Sequence, residues 1–200
     1  MVGGDAGEAQ PSDSETRADQ ASSDSWKGEA KNPQGIRIVI LMGVSGSGKS
    51  TIGHRLAEDL GWRFIEGDDF HAPASLDKMR RGVALNDHDR SPWIEVLREM
   101  IRQVRVADQR AVIACSALKA AYRDRLTMGF PHVALVYLRG GADLIRQRLQ
   151  LRTGHFMKDD LLESQFLTLE EPQTVPVVDV DLSPDQIVHR IKKVLQLDGS

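Results

Sequence analysis

A single cysteine, Cys115, stands in a chain of 200 residues, so no internal disulfide can form and no multi-thiolate zinc site can be built. The six histidines show no HExxH spacing, which removes the commonest zinc-hydrolase pattern. The longest apolar run, Ile38 to Met42, is far too short to span a bilayer. The N-terminus has no basic stretch followed by an apolar one, the mark of a secretory leader. These absences predict a soluble, cytoplasmic protein. Charge of one sign is also lacking overall. The formal net charge is -3, but residues 1–35 hold seven acids against three bases, so that tail carries -4 and the rest about +1. A nearly neutral body gives no reason to expect nucleic acid or an anionic membrane as partner.

Past Met1 and Val2, large apolar residues are nearly missing from residues 1–35, where Trp26 is the exception. Such a segment cannot bury enough surface to offset the entropy of ordering, and it is expected to be disordered. A folded domain is expected from residue 36 to residue 200. "IRIVILM" (36–42) is almost continuously apolar and β-branched, as in a parallel strand covered on both faces. Similar strands are predicted at 111–115 and 133–138, with shorter ones at 62–65 and 175–180. Ile52, Leu56 and Leu60 recur at helical spacing up to Gly61. Further helical patterns run through Trp93, Leu97, Met100, Ile101 and Val104; Lys119 to Leu126; Leu144, Ile145 and Leu149; and Ile187, Ile191, Val194 and Leu195. Alternating strands and helices predict an α/β three-layer fold, a parallel sheet with helices on both faces.

Between the first strand and its helix lies "GVSGSGKST", which fits G-x-x-x-x-G-K-[ST] in the strand-to-helix context that confirms a P-loop. The segment Gly43, Val44, Ser45, Gly46, Ser47, Gly48, Lys49, Ser50 and Thr51 is therefore the candidate nucleotide site. Glycines let backbone N–H groups curl around a phosphate, and the helix N-terminus adds a partial positive charge. Lys49 can reach the β- and γ-phosphates, and the Ser50 hydroxyl can ligate Mg²⁺. A motor or GTPase would need a later strand ending in a lone Asp for the metal, but "AVIACSALK" ends in Cys-Ser. The acids after the second strand, Glu66, Asp68 and Asp69, take its place. Ligands of open α/β sheets bind at the carboxyl ends of strands. A carboxylate there can accept a proton from an attacking hydroxyl and hold water on the metal.

From Gly67 to Trp93 the chain is too polar to be core and has almost no apolar periodicity before its last residue. Together with the P-loop, "GDDFH", "KM", "LNDHDRSPW", "CSALKAAYRD" and "RTGHFMKDDLLESQFLTLEEP" resemble the gluconate kinases (gluconokinases) of the small P-loop type. The resemblance runs from about Ile36 to Leu197. It implies transfer of the γ-phosphoryl group of ATP to the 6-hydroxyl of D-gluconate. It also implies a five-stranded parallel sheet of nucleoside-monophosphate-kinase type, a lid at about 152–165, and a homodimer.

Gluconate is a polyol with a carboxylate at one end, so its site needs many hydrogen-bonding groups and a cation. Asp68, His71, Lys78 and Arg90 supply both. By similarity, Asp68 is the base and a metal-shell group alongside Ser50, with Glu66 behind it and Asp69 ranked lower. Ser116 can bond a hydroxyl, and Arg123 or Arg90 can pair with the carboxylate; Lys119 shares a helical face with Arg123. Arg152 is the candidate for the transferred phosphate and Arg148 for stacking on adenine. His155 and Gln165 belong to the same motif and are expected to touch substrate or orient the lid. The chain departs from the family pattern at "HAPAS", with Pro73 one place late, at Ser75 and at Ala84, all in the acceptor segment. Two other readings compete: a kinase for another hydroxy acid such as shikimate, and a nucleotide-binding regulator without turnover. Trp93 and Cys115 are expected to be core residues.

Overall fold

A strand whose successive side chains point to opposite faces can feed two cores at once. Strand β1 (Ile38–Met42) does this: Val39 and Leu41 join one apolar cluster, and Ile38, Ile40 and Met42 join the other. The computed structural model describes residues 1, 3, 35–151 and 159–197, with the side chains of 159 and 160 left aside. Almost all of the expected tail, and residues 152–158 of the expected lid, lie outside the described residues.

Five strands pair in parallel in the order β2-β3-β1-β4-β5, with β2 at Arg63–Glu66, β3 at Ala111–Ala114, β4 at Val133–Arg139 and β5 at Val177–Asp179. The predicted strands are all present. One face is covered by α1 (Lys49–Leu60), α5 (Ala142–Gln150), α6 (Asp159–Thr168) and α7 (Pro184–Leu195), through residues such as Leu56, Ile145, Leu162 and Ile191. The other is covered by α3 (Asp87–Val106) and α4 (Ala120–Thr127), through Trp93, Ile94, Leu97, Ile101 and Leu126. This is the three-layer P-loop kinase fold. No helix among the described residues is long and apolar enough to cross a membrane.

The polar segment departs from its unstructured appearance. It contains a short 3-10 helix (Gly67–Phe70), then α2 (Pro73–Arg80), then the first turns of α3. Helix α3 begins six residues before its first apolar side chain because Asn86 and Asp89 form a capping box: Asn86 Oδ1 accepts from the Asp89 N–H at 2.9 Å, and Asp89 Oδ2 accepts from the Asn86 N–H at 3.1 Å. Pro73 occupies the first turn of α2, where a missing N–H costs nothing. The displaced proline of "HAPAS" is thus an orderly helix start.

Candidate active site

Helices α3 and α7 have side-chain caps at their N-termini, whereas α1, like α2, α4 and α5, has none. Its cap residue is Gly48, in left-handed conformation with φ 92°, a backbone that other residues adopt at a cost. The first-turn amides of α1 are therefore left for an anion. At Gly43, where φ is 146°, a Cβ would lie 2.7 Å from the Leu138 carbonyl oxygen and 2.9 Å from Ser47 Oγ. The loop can close over a phosphate only with glycine there. Lys49, nearly buried, donates from Nζ to the carbonyls of Gly43 and Val44, each at 3.0 Å. These bonds hold its ammonium at the mouth of the loop. Ser47 Oγ is fully buried with no hydrogen-bond partner among the described residues.

A cavity at this loop is lined by Ser45, Gly46, Gly48, Lys49, Ser50, Glu66, Asp68 and Leu149. The Ser50 hydroxyl and the two carboxylates, Glu66 and Asp68, beside a phosphate cradle suit a hard, hydrated divalent cation, which takes few protein ligands and fills its shell with water and phosphate oxygens. These residues fit nucleotide and metal together.

A second cavity lies beside the first, lined by Ser45, Asp68, His71, Met79, Leu85, Arg90, Trp93, Ser116, Ala117, Leu118, Tyr122, Leu161 and Gln165. It is built where β2 and β3 end. Glu66 is in register with Ala114, so the residues that follow them, Asp68 and Ser116, emerge at the same edge of the sheet. The chain turns there because Gly67 packs against the β3 backbone: a Cβ on it would sit 2.4 Å from the Ala114 carbonyl oxygen. Ser45 and Asp68 are the residues that border both cavities.

Among the acceptor-side candidates, Asp68, His71, Arg90, Ser116 and Gln165 face this second cavity. The Asp68 side chain is 52% exposed, with Oδ1 3.9 Å from His71 Nε2. His71 is buried and stacked on Trp93, with ring centroids 4.3 Å apart at 15°. Burial pushes its pKa below the ordinary value, Asp68 pulls it up, and Arg90 adds to the lowering. The imidazole is thus biased toward its neutral form.

Three other candidates are held by the protein itself. Lys78 Nζ donates to Asp89 at 2.6 Å. Lys119 Nζ donates to both Asp87 oxygens, at 2.7 and 2.9 Å, and Tyr122 Oη donates to Asp87 as well. These two donors hold the Asp87 carboxyl below its usual range. Arg123, 7% exposed, donates from Nη1 to the Ala117 and Leu118 carbonyls at 3.2 and 2.9 Å. It braces the loop after β3 and does not line the cavity. Arg148 donates from Nη2 to the Val180 carbonyl at the end of β5. Arg152 and His155 lie outside the described residues.

The sequence reading missed Trp93 and Tyr122 as cavity residues. Trp93 is core, as expected, but its indole Nε1 also donates to the Gly67 carbonyl at 2.7 Å. The signal was the "SPW" at the end of the polar segment, an aromatic on a helix whose other residues at that end are polar. Cys115 is buried, and burial pushes its thiol up to about 12, which fits a structural role.

A parallel sheet with a phosphate loop after β1 and an acceptor cavity sharing two residues with it defines a small P-loop kinase. The family model described as AAA domain matches residues 38–193. The chain is 45% identical over 148 residues to the thermosensitive gluconokinase of Escherichia coli K12, covering 73% of this chain and 79% of that one. A gluconokinase of known structure from Sinorhizobium meliloti 1021 superposes with a TM-score of 0.71 at 41% identity, covering 78% of this chain and 90% of that one. An unliganded sugar kinase from Janibacter sp. HTCC2649 gives 0.76 at 43%, covering 81% and 95%. The chain belongs to the gluconokinase family.

Proposed function

We propose that the protein phosphorylates the 6-hydroxyl of D-gluconate with ATP, giving 6-phospho-D-gluconate and ADP. The carrying observation is that Ser45 and Asp68 form the seam between the phosphate cavity and the acceptor cavity. A hydroxyl placed against Asp68 on the acceptor side lies next to the end of a phosphate chain held by the loop. Transfer gains chiefly from such positioning and from fixed charge.

In this reading the loop amides and Lys49 hold the phosphates, and Lys49 exchanges its loop carbonyls for phosphate oxygens. Asp68 accepts the proton of the acceptor hydroxyl. Arg90 pairs with the substrate carboxylate, a choice favoured over Arg123 because Arg90 lines the cavity and Arg123 is bonded to backbone carbonyls. Ser116 and His71 bond the polyol hydroxyls. Ser50, with Glu66 and Asp68, would hold Mg²⁺, which when bound screens the charge that builds on the phosphoryl oxygens. Arg152 and Arg148 keep their expected roles at phosphate and adenine in this proposal. The same reading takes the catalytic domain to begin at about residue 36, and the protein to act as a homodimer in the cytoplasm.

The test is ADP release with Mg·ATP and D-gluconate, shikimate, glycerate or glucose, beside a control without acceptor. Turnover confined to gluconate is expected. Turnover of shikimate or glycerate instead, or nucleotide binding with no acceptor turned over, would overturn the assignment.

A further inference from the structure

Helix α6 reaches both walls of the acceptor cavity. At one wall, Gln165 makes a two-point contact with the phosphate loop: its Oε1 accepts from the Ser45 N–H at 2.7 Å, and its Nε2 donates to Ser45 Oγ at 3.1 Å. A neutral amide matches this pair of groups, one donor and one acceptor, with no charge added beside the phosphates. At the other wall, just past the helix, the Glu170 N–H donates to the Leu118 carbonyl at 3.0 Å, and the Glu170 carboxylate accepts from the Ala120 N–H at 2.7 Å. Leu162 fixes the helix in the core at 2% exposure, and Leu161 lines the acceptor cavity. A rigid element is therefore bonded at once to the phosphate loop and to the loop after β3.

We infer that Gln165 is a positioning residue that couples nucleotide binding to acceptor binding through its grip on Ser45. Phosphates drawn into the loop act on the loop amides. Ser45 borders both cavities, and Gln165 fixes where that border stands relative to Leu161 and Leu118. An acceptor then meets a wall already set by the nucleotide. The effect is reciprocal, since coupling between two ligands is one free energy seen from either side. The inference rests on the gluconokinase reading and adds to it a link between the two substrates.

The test is titration of the full-length protein with D-gluconate, alone and in the presence of Mg²⁺ and the non-hydrolysable β,γ-imido analogue of ATP. The wild type should bind gluconate at least ~5-fold tighter with the analogue present, the low end of usual coupling. Gln165→Ala should bring that ratio below ~2-fold. Gln165→Met, of similar length and without the amide, gives the same result if packing of α6 matters to folding. Gln165→Glu keeps an acceptor for the Ser45 N–H but places an anion at the phosphate cavity, and should weaken the analogue. A coupling ratio unchanged in Gln165→Ala and Gln165→Met overturns the inference, as does a wild-type ratio near one. So does an equal loss of gluconate affinity with and without nucleotide, which marks a simple substrate contact. Absence of any gluconate binding or turnover in the wild type fails the functional reading itself and is seen before any variant is made.

Discussion

The indole N–H of Trp93 on α3 holds the carbonyl of Gly67, 2.7 Å away, at the point where the chain leaves β2 and presents Asp68. The face of the same ring carries His71. One core side chain thus sets both the turn and the imidazole beside the proposed base. Trp93→Phe keeps most of the apolar volume but removes the indole donor from the Gly67 carbonyl, at a cost of about 0.5–1.5 kcal/mol. A lower melting temperature is expected, with kcat falling more than the KM for ATP changes. Steady-state kinetics with thermal unfolding on one preparation would check it, and an unaltered kcat would separate the turn from the chemistry.

Asp68→Asn retains size and hydrogen bonding but cannot take a proton. General-base help is typically worth ~10²- to 10⁴-fold, so kcat should fall by that order while ATP still binds. Direct nucleotide titration beside single-turnover rates measures both. Turnover at the wild-type rate would remove Asp68 from the base role.

Arg90 and Arg123 should fail in different ways. A charge-assisted bond to a carboxylate is worth about 1.5–3 kcal/mol, so Arg90→Ala should raise the KM for gluconate about 10- to 100-fold with little loss of stability. Arg123→Ala leaves the Ala117 carbonyl without its side-chain donor, takes one of two donors from the Leu118 carbonyl, and should lower the melting temperature first. Measuring KM and unfolding for both variants decides which guanidinium meets substrate. The reverse pattern would exchange their roles.

The pH dependence of stability has two windows. His71 has its pKa lowered from 6.5 by burial, so the unfolded chain binds its proton more readily than the folded one. Its contribution is fully present above pH 6.5 and is lost as pH falls through that value toward the lower folded one. Asp87, Asp89 and Asp179 are lowered from 3.8 by partners, so theirs is present above that value and lost only in stronger acid. Melting temperature followed from about pH 7.5 to about pH 5.5 should decline less steeply in His71→Asn than in the wild type. Identical slopes would show that His71 titrates as it does in water.

The strands and the phosphate loop were legible because their signal is local: continuous apolar runs, and a glycine pattern between strand and helix. The polar segment was harder to read. Helix α2 and the start of α3 owe their existence to Pro73 and to the Asn86–Asp89 box, which leave no apolar period to count. The choice between Arg90 and Arg123 was open in sequence because both carry the same charge and flank the same cavity. It depends on which carbonyls lie within reach of each, a tertiary fact. Lys78 in the polar segment and Lys119 after β3 were cations near the acceptor side, but the acids that bind them, Asp89 and Asp87, sit in the polar segment too.

Cys115 gives the molecule an internal clock. Its thiol lies buried at the end of β3, with Asp68 among the charges that raise its pKa to about 12. A thiol so protonated and so covered is nearly inert toward an alkylating reagent until the end of the sheet opens. With one sulfhydryl in the chain, the rate at which a disulfide reagent consumes it counts openings of one known place. Ligands that fill the neighbouring cavities should slow that count, so the silent cysteine becomes a reporter of occupancy that needs no label and no coupled enzyme.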